Sequence, residues 1–149
     1  MRTLLLLLAA LLLVPLLRAG DSLRLHGRGT AGNGGFTPLI WASPTPRPGE
    51  SAFSLLVERG MGKAPLFTLL AAGPGNLNLG GLRLNLDPTS LLVLPPVLLA
   101  GKGPGAGRAT LPLPIPNLSV LLGLPLHAQA FVGDGAGPMG FAASRGLEI

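Results

Sequence analysis

Glycine and proline interrupt this chain so often that helix is almost excluded. There are 23 glycines and 16 prolines in 149 residues, and after the first nineteen residues no helical-period stretch of ten survives between them. Glycine costs a helix interior about 1 kcal/mol relative to alanine, and proline about 3. What survives is short runs of period two, the pattern of half-buried strands. Leu23 and Leu25 alternate with Arg24 and His26; Phe53, Leu55 and Val57 with Ser54, Leu56 and Glu58. Leu82, Leu84 and Leu86 alternate with Arg83 and Asn85. From Leu124 to Val132 the apolar positions alternate with Pro125, His127, Gln129 and Phe131, and Leu147 and Ile149 flank Glu148. More continuously apolar strands are expected at 37–42, 66–72, 91–94 and 97–100. About eight to ten short strands in one domain predict an all-β antiparallel β-sandwich, with a closed barrel as the alternative.

Two proline patterns sharpen the expectation. In Leu111-Pro112-Leu113-Pro114-Ile115-Pro116 every second residue lacks an N–H. Successive N–H groups of a strand point to opposite sides, so one side loses its donors. This predicts an edge strand that cannot be extended, with Leu111, Leu113 and Ile115 on the core face. Pro95-Pro96 predicts a corner where the chain breaks or changes sheet. A single helical turn is expected to start in Pro116–Ser119 and to lead to Leu124.

The N-terminus reads differently from the rest. Arg2 precedes an apolar run from Leu4 to Leu17, broken only by Pro15 and ended by Arg18, Ala19, Gly20 and Asp21. That is the plan of a secretory signal peptide, and fourteen residues are short of the roughly 20 that span a bilayer. The expected organisation is a helical signal peptide at 1–19 and one domain at 20–149. The product is secreted or at the cell surface, with no membrane span after cleavage. The chain has no cysteine, so disulfides and zinc–thiolate sites are ruled out.

Charge narrows the partners. Beyond residue 19 there are nine basic and six acidic residues, and charged residues are 11% of the chain against about 25% in a typical soluble domain. No Lys/Arg cluster marks a nucleic-acid surface. So little charge implies an apolar surface, suited either to packing against a partner, a matrix or another copy or to a tolerant secreted β-protein.

No catalytic constellation is legible. The two histidines, His26 and His127, and the acids Asp21, Glu50, Glu58, Asp87, Asp134 and Glu148 are scattered singly. His127, opposite the apolar face of its run, is expected at the surface. Gly27-x-Gly29-x-x-Gly32 and Gly135-x-Gly137-x-x-Gly140 match a dinucleotide fingerprint by letter, but no βαβ context surrounds them. Gly133–Gly137 holds one acid where calcium needs several oxygens, so a tight turn is expected. Gly101–Gly107 is expected to be a flexible hairpin loop. Asn117-Leu118-Ser119 is a glycosylation acceptor only in a eukaryotic host. No enzyme activity, cofactor or metal is expected.

Two places are candidates for binding. Trp41, the single tryptophan, is either a ligand platform, for a glycan above all, or a core residue. Leu23 and Leu25 lie on a short strand followed by the glycine-rich Gly27–Gly35. That strand either pairs within its own sandwich or, on a flexible tether at 21–35, is donated to a second copy.

Several ordered pieces resemble a group of secreted bacterial β-sandwich proteins that are rich in Gly, Pro and Leu. They are seen alone, as a signal peptide with one module, or as C-terminal modules. The pieces are Gly34-Gly35-Phe36-Thr37-Pro38, Pro46-Arg47-Pro48-Gly49, Ala64-Pro65-Leu66-Phe67, Leu113-Pro114-Ile115-Pro116-Asn117, Gln129-Ala130-Phe131 and Ser144-Arg145-Gly146-Leu147-Glu148-Ile149. The resemblance implies export and the sandwich, and transfers no catalytic residue. Its members often carry cysteines in the glycine-rich loop; this chain has none. The overall expectation is a non-catalytic structural, adhesive or self-assembling protein, with a secreted ligand-binding module as the alternative.

Overall fold

Alternation along Phe53–Val57 places Phe53, Leu55 and Val57 almost completely out of water, and the rest of the architecture builds on that face. The structure is a computed structural model that describes residues 23–149; the expected signal peptide at 1–19 lies outside the described residues. Twelve strands follow one another: β1 (Arg24–His26), β2 (Leu39–Ser43), β3 (Ser54–Gly62), β4 (Pro65–Ala71), β5 (Pro74–Leu79), β6 (Leu82–Leu86), β7 (Leu92–Val93), β8 (Val97–Leu98), β9 (Gly103–Pro112), β10 (His127–Gly133), β11 (Phe141–Ala143) and β12 (Gly146–Glu148).

The fold is all-β and antiparallel, a β-sandwich. A large sheet runs β1-β12-β10-β4-β7, with β11 also on β10 and β8 also on β4. A small sheet runs β2-β3-β9. Between them lies the main core, built from Ile40, Phe53, Leu55, Val57 and Leu111 on one side and Leu66, Leu70, Ala128, Ala130, Val132 and Leu147 on the other. The small alanines at the centre of β10 let the sheets approach closely, and each buried Leu, Val or Phe contributes about 1.5–3 kcal/mol.

Twelve strands replace the expected eight to ten because β5 and β11, which no alternating run marks, are added. Pro95-Pro96 splits what would be one partner of β4 into β7 and β8, both of which pair with β4. The prolines therefore break the strand without changing its sheet. The change of sheet comes later, where Leu99 N–H donates to the Ala64 carbonyl and Ala100 exchanges both backbone hydrogen bonds with Arg108 of β9. Ser144-Arg145 likewise separates β11 from β12 along β10. The strands expected at 91–94 and 97–100 form, but only as two-residue pieces, and their apolar side chains Leu92, Val93 and Leu98 are exposed.

Two elements depart further from expectation. The β5–β6 hairpin lies over the outer face of the large sheet as a third layer. Leu82, Leu84 and Leu86 pack there with Ala71, Phe131 and Ala143, and Phe67 meets Phe141 edge to face. This layer covers the side of β10 that alternation assigned to solvent. His127, on the same side, is buried at 3% exposure rather than at the surface, with the His26 ring against it. The expected loop at Gly101–Gly107 is instead largely strand. β9 begins at Gly103 and reaches β3 through two register shifts, with Gly60 opposite Gly107 and Gly62 opposite Gly103. A Cβ on Gly107 would strike the carbonyls of Gly60 and Met61, so glycine here serves close strand approach rather than flexibility.

Candidate interaction site

The two free borders of the small sheet are built in opposite ways. Just past the end of β9, the N–H groups of Leu113 and Ile115 donate inward to the carbonyls of Phe53 and Glu50. Pro112, Pro114 and Pro116 leave the other side without donors, as expected, and Ala100 occupies the border at Arg108. That border is closed to a further strand.

At the other border β2 pairs only with β3. Ile40 and Ala42 point into the core, while Leu39 and Trp41 point outward and are 42% and 47% exposed. Opposite Trp41 stands Leu56, and opposite Leu39 stands Glu58. Pro38 and Pro44 bracket the strand, and no charge, proline or bulge lies within it. An uncharged, flat, apolar border is the kind that other strands pair with.

Beside β2 the sandwich is open. A shallow groove of about 360 Å³ is lined by Leu25, Leu39, Ile40, Trp41, Leu56 and Glu58. Both candidates from the sequence meet here. Trp41 is the one aromatic in the groove, and it is outside the core. Leu25 reaches it from β1, and Leu23 and Leu25 also pack on the main core. Leu39, Leu56 and Glu58 were not singled out from the sequence. The signal was available for Leu39, which shares the parity of Trp41 between two prolines.

The strand β1 is paired within its own chain, Arg24, Leu25 and His26 standing opposite Glu148, Leu147 and Gly146 of β12. The glycine-rich segment behind it is pinned rather than a free tether. Asn85 brackets the backbone of Arg28, its Oδ1 accepting from the N–H and its Nδ2 donating to the carbonyl. Thr30 exchanges two backbone bonds with Ala143. Asn33 N–H donates to the Asp134 carboxylate, which also accepts from Ala136 N–H in the expected tight turn.

On the outer face, two histidines that the sequence left apart are in contact. His127 Nδ1 and His26 Nε2 are 3.0 Å apart, with the rings edge to face. The His26 ring lies over Gly146, where a Cβ would strike it. Arg24 forms a 3.0 Å ion pair with Glu148 on the same face. Both imidazoles have pKa values below their ordinary 6.5. Burial is the main cause for each; for His26 the neighbouring His127 comes next. Arg24 acts in the same direction on both and Arg145 on His26, while Glu148 opposes them.

Deeper under the hairpin, Gln129 is completely buried. Its Nε2 donates to the carbonyls of Arg83 and Ser144, and its Oε1 accepts from Asn85 N–H. The network is saturated and holds layers together; no reacting group is aimed into an opening. Among the described residues no three His, Asp, Glu or Cys side chains gather as metal ligands, and no helix is long and apolar enough to cross a membrane. Phe36, the other half-exposed aromatic, is capped by the Arg59 guanidinium 5.7 Å from its ring. Comparison of the chain with protein-family models, with curated proteins and with solved structures finds no match.

Proposed function

We propose that this protein is a non-catalytic structural module of the extracellular or cell-surface space that associates with copies of itself through β2. The observation that carries the reading is the asymmetry of the small sheet, one border blocked by prolines and the other uncharged, apolar and open. Leu39–Ser43 suits a copy of itself. Antiparallel pairing centred on Trp41 sets Trp41 against Trp41, Ile40 against Ala42 and Leu39 against Ser43, with no like charges opposed. Such a contact is two-fold and closed, and the blocked β9 border stops the small sheet from growing further, so the expected product is a dimer. The apolar run Leu4–Leu17 supports export.

Sedimentation of the purified protein tests this. The wild type should be dimeric at micromolar concentration, and Trp41→Lys, which places on β2 the charge that guarded borders carry, should be monomeric with its fold intact. A wild type that stays monomeric at high concentration overturns the reading.

A second reading, a glycan-binding module, draws on the exposed Trp41 ring beside Glu58 in the groove. Quenching or enhancement of Trp41 fluorescence by an oligosaccharide panel would favour it over self-association.

A further inference from the structure

The described N-terminal strand is held by an unusual set of groups. Three residues of β1 pair with three of β12, a short ladder for a strand at the border of the large sheet. Side chains supply the remaining hold. Arg145 donates from its guanidinium to the carbonyls of Leu25 and Gly27, Arg24 binds Glu148, and His26 reaches across Gly146 to His127. Behind β1 sits Gly27 at φ 66°, and immediately after it Asn85 fixes the backbone of Arg28. The paired strand β1, whose Leu23 and Leu25 also pack on the main core, thus ends at a hinge, and the chain beyond the hinge is anchored.

We propose that the His26–His127 contact is an acid-released clasp: protonation of both rings frees β1 from β12, and the freed strand pairs with β12 of a second copy.

The contact needs one ring nitrogen as donor and the other as acceptor, so at most one of the two facing nitrogens carries a proton. Protonating both rings turns a hydrogen bond into two cations at the same 3.0 Å separation. The charged groups that face them are Arg24 on β1, Glu148 on β12 and Arg145 between β11 and β12. After protonation four cations surround one carboxylate. The folded arm holds its protons less tightly than a free arm does. The clasp is therefore fully formed above the ordinary imidazole value of 6.5 and is lost as the pH falls through the lowered values of the folded pair. A released β1 leaves β12 as a bare border and opens the groove that Leu25 lines. Equivalent pairing between copies reproduces every contact in trans, which is the basis of domain swapping. The trans step rests on the self-association reading in kind but uses a different border, β12 in place of β2.

Amide hydrogen exchange on dilute protein tests the clasp apart from any assembly. Between pH 7.5 and 5.0 the protection factors of β1 and β12 should fall severalfold, while those of β4 hold. His26→Gln should abolish the pH dependence, and His26→Lys should show the acid level of protection already at pH 7.5. Unchanged protection in the wild type, or the same fall in His26→Gln, overturns the clasp. Trans pairing is read in the Trp41→Lys background. Two differently labelled batches mixed at pH 5.0 and returned to pH 7.5 should form stable mixed oligomers. Their absence overturns the exchange step, whereas a monomeric wild type at neutral pH overturns only the β2 reading.

Discussion

The two faces of β10, at the centre of the large sheet, are both buried, and they are buried in different ways. Toward the small sheet, β10 presents Ala128, Ala130 and Val132, and β4 presents Leu66, Thr68 and Leu70; this face is apolar apart from Thr68. Toward the hairpin, the same β10 presents His127, Gln129 and Phe131, and Gln129 alone joins Arg83, Asn85 and Ser144. An apolar face is indifferent to small slips of what packs on it, whereas a saturated amide fits one arrangement. The inner face therefore sets how stable the domain is. The outer face sets where the hairpin and the glycine-rich segment lie.

The largest expected effect is on the inner face. Leu55→Ala removes a completely buried side chain from between the sheets and should cost about 2–5 kcal/mol, read as a lower urea midpoint for the whole domain. Gln129→Leu comes next. It leaves Asn85 N–H and the carbonyls of Arg83 and Ser144 without their partner and should cost about 2–3 kcal/mol. Faster hydrogen exchange should concentrate in β5, β6 and residues 27–30. If Gln129→Leu is neutral, or loosens every strand alike, the division between the faces fails. The smallest effect has the opposite sign. Thr68 Oγ1 is the one buried side-chain polar atom without a hydrogen-bond partner among the described residues. Thr68→Val keeps the shape and should raise stability by about 1 kcal/mol, moving the inner face closer to wholly apolar.

What was legible in the sequence follows the same division. Period two assigns residues to a face, so Phe53, Leu55, Val57, Leu111 and Leu147 were readable as inward-facing. The alternating prolines of 112–116 were readable as a blocked border because proline's missing donor acts locally. Alternation cannot tell whether the opposite face meets water or a third layer. Alternation therefore puts His127 at the surface although it is buried, and its contact with His26, 101 positions away, has no local signature. β5 was missed for a related reason. Pro74-Gly75-Asn76-Leu77-Asn78-Leu79 is poor in β-formers and is a strand because β6 pairs with it. The glycines at 101–107 read as flexibility, when two strands approaching closely needed them. Of the interaction site, Trp41 and Leu25 were named from the sequence, but that they share one groove depends on how the two sheets stack.

The pairing of β1 with β12 also has a consequence in time. Arg24 and Glu148 are separated by 124 positions, so during synthesis the earliest described strand must wait for residues 146–148 before its partner exists. Closing so long a loop is slow. Throughout that interval β1 has no partner within its own chain. The β1–β12 ladder should therefore be the last to gain hydrogen-exchange protection during refolding.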